Sequence, residues 1–175
     1  VQFPGGYPND AGVNIQHDDF LGTCQPETEA LFALTRRERP DLILNMHTGA
    51  PRNNYYMRMH RPFVEPALQP VWEELYRCVH TGLALRGHQS TQDLSLEADP
   101  ARMKSEVYNL NTALNLHCGA LCTVVESPSH SFNGTNREGE TVKQTPETIL
   151  DAHLILFQEA MTFLVDNGGR CSWAM

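Results

Sequence analysis

Two short apolar runs constrain this chain more than anything else in it. Leu42-Ile43-Leu44-Asn45-Met46 stands straight after Pro40-Asp41, and Leu121-Cys122-Thr123-Val124-Val125 ends at Glu126-Ser127-Pro128. Runs this short, with β-branched residues in the second, read as buried strands of a sheet covered on both faces. The segments around them carry helical spacing. Strands alternating with long helices predict an α/β fold with a mixed, mainly parallel sheet and helices on both faces.

Helix signals fill the rest. Pro26 suits a first helical position, with Glu27 and Glu29 in the first turn, Ala30, Leu31 and Leu34 as apolar stripe, and Arg36, Arg37 and Arg39 toward the C-terminal end. A second helix starts at Pro66 or Pro70, repeats Val71, Leu75, Val79 and Leu83, and stops at Gly87. A short helix falls between Val107 and Leu116. Thr145 caps a last helix with Pro146 at its first position and a core stripe of Leu150, Leu154, Phe157, Met161 and Leu164. Residues 1–25, 48–62 and 88–106 read mostly as loop.

Length and charge bound the rest. The 175 residues make a single domain, 1–175. With 13 basic against 21 acidic side chains, a general grip on nucleic acid is excluded. No uninterrupted apolar run approaches the roughly 20 residues of a membrane span, so no membrane partner is expected. Five scattered cysteines are an odd number and fit reduced thiols in a cytoplasmic protein. Cys118-x3-Cys122 has neither the usual metal spacing nor a second pair.

The chemistry belongs beyond the carboxyl ends of the strands. His47 follows the first run and Glu126 the second; each is the first ionisable group after its run. A neutral imidazole is a zinc ligand, and a neighbouring carboxylate is a general base for a metal-bound water. The plain alternative is a His bonded to a loop carbonyl and a solvated Glu.

Four segments weigh on that choice. Gly12-Val13-Asn14-Ile15-Gln16-His17-Asp18-Asp19-Phe20, Pro26-Glu27-Thr28-Glu29-Ala30-Leu31, Pro40-Asp41-Leu42-Ile43-Leu44-Asn45-Met46-His47-Thr48-Gly49 and Thr123-Val124-Val125-Glu126-Ser127-Pro128 resemble, in order and spacing, the zinc carboxypeptidase family, the carboxypeptidase A/B-like metallopeptidases. The resemblance implies Zn2+ as cofactor, His47 as third zinc ligand, and Glu126 as general base and acid. Thr48 and Gly49 would flank the substrate cleft, and Tyr108 lies in the region of the aromatic hydroxyl that closes over substrate in the family. Core packing is the other role open to Tyr108.

The chain departs from the pattern twice. His17 stands where the family's carboxylate-binding Arg follows Asn, and an imidazole cannot form the bidentate fork of a guanidinium. A protonated His17, Arg52 or Arg58 then takes that role, or the substrate lacks the carboxylate. The family's first two ligands form a His-x-x-Glu pair, and none of the eight histidines has Glu three residues on. With no initiator Met, the chain therefore reads as the C-terminal part of such a catalytic domain.

The expectation is a zinc metallocarboxypeptidase-like hydrolase acting on a C-terminal peptide or related amide bond. An amino-acid deacylase of the same fold, acting on an acylated amino acid, and an inactive peptide-binding relative are the alternatives. His130, in the loop after Glu126, is a further candidate for lining the pocket. Oligomeric state leaves no trace in the sequence.

Overall fold

A computed structural model describes residues 8–49, 57–88, 100–128, 133–135 and 138–173. Its helices of four residues or more are α1 (Pro26–Glu38), α2 (Gln69–Leu85), α3 (Leu110–Cys118), α4 (Pro146–Asn167) and α5 (Arg170–Trp173). Its strands are β1 (Leu42–Gly49), β2 (Arg58–Met59), β3 (Leu121–Pro128), β4 (Asn133–Thr135) and β5 (Thr141–Lys143). The main sheet is mixed, in the order β1-β3-β2. β1 runs parallel to β3 from Leu42↔Leu121 to Gly49↔Pro128, and β2 runs antiparallel to β3. β4 and β5 form a separate antiparallel pair.

Helices cover both faces of the sheet. On one, Trp72, Leu75 and Val79 of α2 and Leu156 and Phe163 of α4 close over Leu121 and Val125. On the other, Leu110 and Leu114 of α3 meet Cys122, with Leu31 and Phe32 of α1 and Ile43 of β1 around them. Alternation along each strand decides the face. Leu42, Leu44, Leu121 and Val125 point to α2 and α4, whereas Ile43 and Cys122 point to α1 and α3.

The strand at the centre of the sheet is the buried one. Every residue of β3 is buried except half-buried Glu126. β1 lies at an edge among the described strands, so Leu42, Ile43 and Leu44 are only half-buried and Met46 is 37% exposed. The expectation that both runs are fully buried thus holds for β3 alone.

Helix ends follow their chemistry. Pro26 opens α1, and Arg39 ends it at a φ of 48°, its N–H donating to Thr35 O at 2.9 Å. Asn109 caps α3 by accepting from the N–H groups of Asn111 at 3.0 Å and Thr112 at 3.3 Å. Gly119 ends α3 at a φ of 76°, in the left-handed region where a Cβ is costly. α3 therefore starts three residues later than the sequence suggests and ends two residues further on. Pro66–Leu68 form a 3-10 turn that leads into α2. At the start of α4, Thr148 accepts from Thr145 N–H at 2.9 Å.

Two apolar stripes are misassigned by periodicity alone. In α4 the buried residues are Ala152, Ile155, Leu156, Ala160 and Phe163. Leu150, Leu154, Phe157 and Met161 are exposed, and Leu164 is half-buried. The helix is apolar around most of its circumference, and the face with two alanines approaches α2, where Gly82 sits against Glu159. In α1 the buried residues are Thr28 and Thr35, with Leu31 and Phe32 half-buried and Ala30 and Leu34 exposed. By length and composition α4 also meets the test for a membrane-crossing helix, 22 residues with a mean hydropathy of 1.4 in its most apolar window. One of its faces nonetheless belongs to the core.

Candidate functional site

The parallel register makes the site. His47 and Glu126 are direct partners across β1 and β3, near the carboxyl ends of both strands. His47 shares its face of β1 with Ile43 and Asn45, and Glu126 shares its face of β3 with Cys122 and Val124. The two side chains therefore project from the same side of the sheet, toward α1 and α3.

Two further ionisable groups join them. β2 brings His60 alongside β3, where His60 N–H donates to Val124 O at 2.9 Å. His60 Nε2 lies 3.3 Å from Glu126 Oε2 and His60 Nδ1 lies 3.6 Å from Glu106 Oε1. His60 Nε2 is buried and meets no acceptor at hydrogen-bonding angles, so its contact with Glu126 is electrostatic. Glu106 is tied down in turn. Its N–H donates to Arg61 O at 2.8 Å, and its Oε2 accepts from Asn109 Nδ2 at 3.2 Å. The His60 backbone is fixed from below, because its carbonyl accepts from Thr123 Oγ1 at 2.8 Å and Thr123 accepts from Trp72 Nε1 at 3.1 Å.

The groups border two adjoining clefts. The smaller, of about 320 Å³, is lined by Asn14, Gln16, His17, His47, Glu106 and Glu126 among others. The larger, of about 730 Å³, runs along β1 and includes Ile15, Leu31, Asn45, Leu110 and Thr48. His47 and Gln16 border both. Burial pushes the His47 imidazole below its usual pKa, which Glu126 and Glu106 oppose and His60 reinforces. The neutral ring, the form that ligates metals or accepts protons, is thereby favoured. The His47 ring is also held in place, with Nε2 2.9 Å from Asn45 Oδ1.

The sequence candidates scatter around this centre. His17, exposed at the end of the 3-10 turn Ile15–His17, lines the smaller cleft. Thr48 lines the larger one, on the opposite face of β1 from His47. Tyr108 is 39% exposed, with its ring 5.9 Å from that of Phe20, and borders neither cleft. Arg58 is exposed and pairs with Glu126 in the strand register. Arg52 and His130 lie outside the described residues. Among the described residues no three His, Cys, Asp or Glu side chains converge in a way that holds a metal ion. The Cys118-x3-Cys122 pair lies elsewhere. Cys118 donates to Leu114 O at 3.1 Å, and burial pushes the Cys122 thiol up, away from the reactive thiolate.

Sequence reasoning missed His60, Glu106 and Asn45. His60 had a signal, since Met57 and Met59 are both buried and alternate with Arg58 just before it. That period of two marks a short strand inside a segment read as loop. Glu106 carries no local signal. Comparisons of the chain with protein-family models, with curated proteins and with solved structures found no match.

Proposed function

We propose that this chain carries the His47–Glu126 part of a zinc-dependent, carboxypeptidase-like amide hydrolase centre, acting on a C-terminal peptide bond or a related amide. What supports the reading most is the register pair itself: a neutral-favoured imidazole and a carboxylate side by side at the ends of two parallel strands, opening on a cleft. The sequence resemblance to zinc carboxypeptidases assigns these same two residues.

The donor set fits zinc in part. His47 is suited to be one ligand, because its Nε2 is engaged by Asn45 and the ring is oriented. A catalytic zinc takes three protein ligands, and among the described residues no two further donors converge with His47. When bound, zinc supplies a Lewis acid and a water of pKa about 7.

The roles of the chain's own groups follow from their positions. Glu126 takes a proton from the attacking water and returns it to the leaving amine. His60 lies against Glu126 Oε2 and limits how its carboxylate turns, while Glu106 holds the other edge of the His60 ring. His17, at the rim of the same cleft, faces the end of the substrate and offers one imidazole donor where a guanidinium would offer two.

The test is hydrolysis by the full-length protein over a panel of C-terminal peptides and N-acylated amino acids. Glu126→Gln keeps the shape of the side chain and removes the base. A loss of about 100-fold or more is expected. Turnover equal to the wild type refutes the role of Glu126, and the preferred panel member separates the carboxypeptidase from the deacylase.

A further inference from the structure

The register that pairs His47 with Glu126 continues to β2. Arg58 is the direct partner of Glu126 on the antiparallel side, as His47 is on the parallel side. Direct partners point to the same face of a sheet. His47, Glu126 and Arg58 therefore form one row across β1, β3 and β2, with about 5 Å from strand to strand. Their neighbours fix the parity, because Met59 and Val125 are the next partners and both lie in the core against α2 and α4. An imidazole, a carboxylate and a guanidinium thus stand side by side on the face that carries the smaller cleft.

Arg58 is exposed, and its guanidinium enters no ion pair or hydrogen bond among the described residues. Opposite charges directly across two strands ordinarily close on each other. Here His60, two residues on from Arg58, lies 3.3 Å from Glu126 Oε2. Arg61, by contrast, is committed, with Nη2 3.2 Å from Glu73 Oε1 and Nε donating to Gln69 Oε1 at 3.1 Å. The smaller cleft carries Glu106 and Glu126 and, among its described lining residues, no Lys or Arg. Two carboxylates repel an anionic substrate end, so holding one there requires a cation at the border of the cleft. His17 stands on the other side. Asn45 Nδ2 donates to Gln16 Oε1 at 3.3 Å and to Asn111 Oδ1 at 3.0 Å, which ties the turn that carries His17 to β1 and α3 rather than to β2. We propose that Arg58 is the specificity residue of this centre and selects substrates with a free carboxylate, which its guanidinium takes bidentately beside Glu126. This deepens the function proposed above and rests on it for the hydrolysis, while anion binding at Arg58 stands on register and charge alone.

Hydrolysis by the full-length protein tests this with each member of the substrate panel supplied both as free acid and as primary amide. The wild type is expected to prefer the acid about 10-fold in kcat/KM, the worth of a partly solvated charge-assisted pair. Arg58→Gln is expected to abolish that preference through KM rather than kcat, and Arg58→Lys, a point charge without the fork, to restore part of it. No preference for the acid in the wild type, a preference that survives in Arg58→Gln, or a loss confined to kcat overturns the proposal. A binding arm needs no turnover. The full-length protein is titrated with N-acetylglycine and with N-acetylglycinamide, and the Arg58 Nε–Hε correlation, assigned by its loss in Arg58→Lys, is followed in 1H–15N spectra. A saturable shift with the acid and none with the amide is expected. No shift with the acid, or equal shifts with both, overturns the proposal. If no panel member is hydrolysed, the hydrolase reading falls, and the titration still decides the role of Arg58.

Discussion

Thr123 shows how one buried hydroxyl ties the core to the site. It is fully buried, accepts from Trp72 Nε1 and donates to His60 O. Thr123→Val keeps the shape and the strand propensity but leaves an indole N–H and a carbonyl buried without partners. A loss of about 2–4 kcal/mol in unfolding free energy is expected, read by chemical denaturation. A loss below about 0.5 kcal/mol would show that neither bond matters for stability. At this scale the sequence is readable where chemistry and position coincide. His47 and Glu126 are each the first charged group after an apolar run, so strand order alone brings them to one end of the sheet. Glu106 and Asn111 reach the site only through the path of the chain between β2 and α3, which no local pattern encodes. Asn45 was readable as part of a strand but not as a hydrogen-bond partner, because its role depends on residues 29 and 66 positions away in sequence.

Elements are legible to the extent that one solution outcompetes others. α2 has a single apolar stripe, and Leu75, Val79 and Leu83 are buried as their spacing implies. α4 offers two stripes of similar hydrophobicity, and close packing against α2 selects the one with smaller residues. Leu154 and Leu156 separate the two faces cleanly, being 56% and 0% exposed. Leu156→Ala is expected to cost about 2–5 kcal/mol through lost burial and a cavity, whereas Leu154→Ala is expected to stay within about 0.5 kcal/mol. Thermal or denaturant unfolding of the pair measures this. Equal losses would mean that the stripe implied by the heptad-like spacing is packed after all. β1 makes the same point for strands. Its composition matches that of a central strand, but burial depends on what pairs with its outer edge, which no described strand covers, and composition does not report that.

Over the whole molecule, histidine burial sets a pH response. His80 stacks on Tyr76 at 4.0 Å with its Nε2 buried, and burial pushes its pKa down from 6.5 to about 4. Burial lowers His47, His88 and His153 as well. A depressed imidazole leaves the folded state neutral while the unfolded chain takes up a proton. The His80 contribution is therefore whole above pH 6.5 and is lost progressively between 6.5 and about 4. The loss from His80 is on the order of 2 kcal/mol, because the rest of the residue still sees solvent. Denaturation midpoints followed from pH 7.5 to 4.5 are expected to fall, and less steeply in His80→Phe. A flat profile, or an identical slope in the variant, contradicts this. The α/β class, the mixed sheet and helices on both faces were all legible at this scale, because strand and helix signals alternate along the chain. No group of metal donors around His47 was legible in the sequence, and none is found among the described residues.

In the proposed centre His47 and Glu126 are two halves of one zinc hydrolase site, one holding the metal and the other moving the proton. Metal content separates the two roles, in full-length protein purified in parallel as wild type, His47→Ala and Glu126→Gln. One zinc per chain is expected in the wild type, with loss of that zinc in His47→Ala and its retention in Glu126→Gln. No zinc in the wild type, or equal zinc with and without His47, would contradict the assignment.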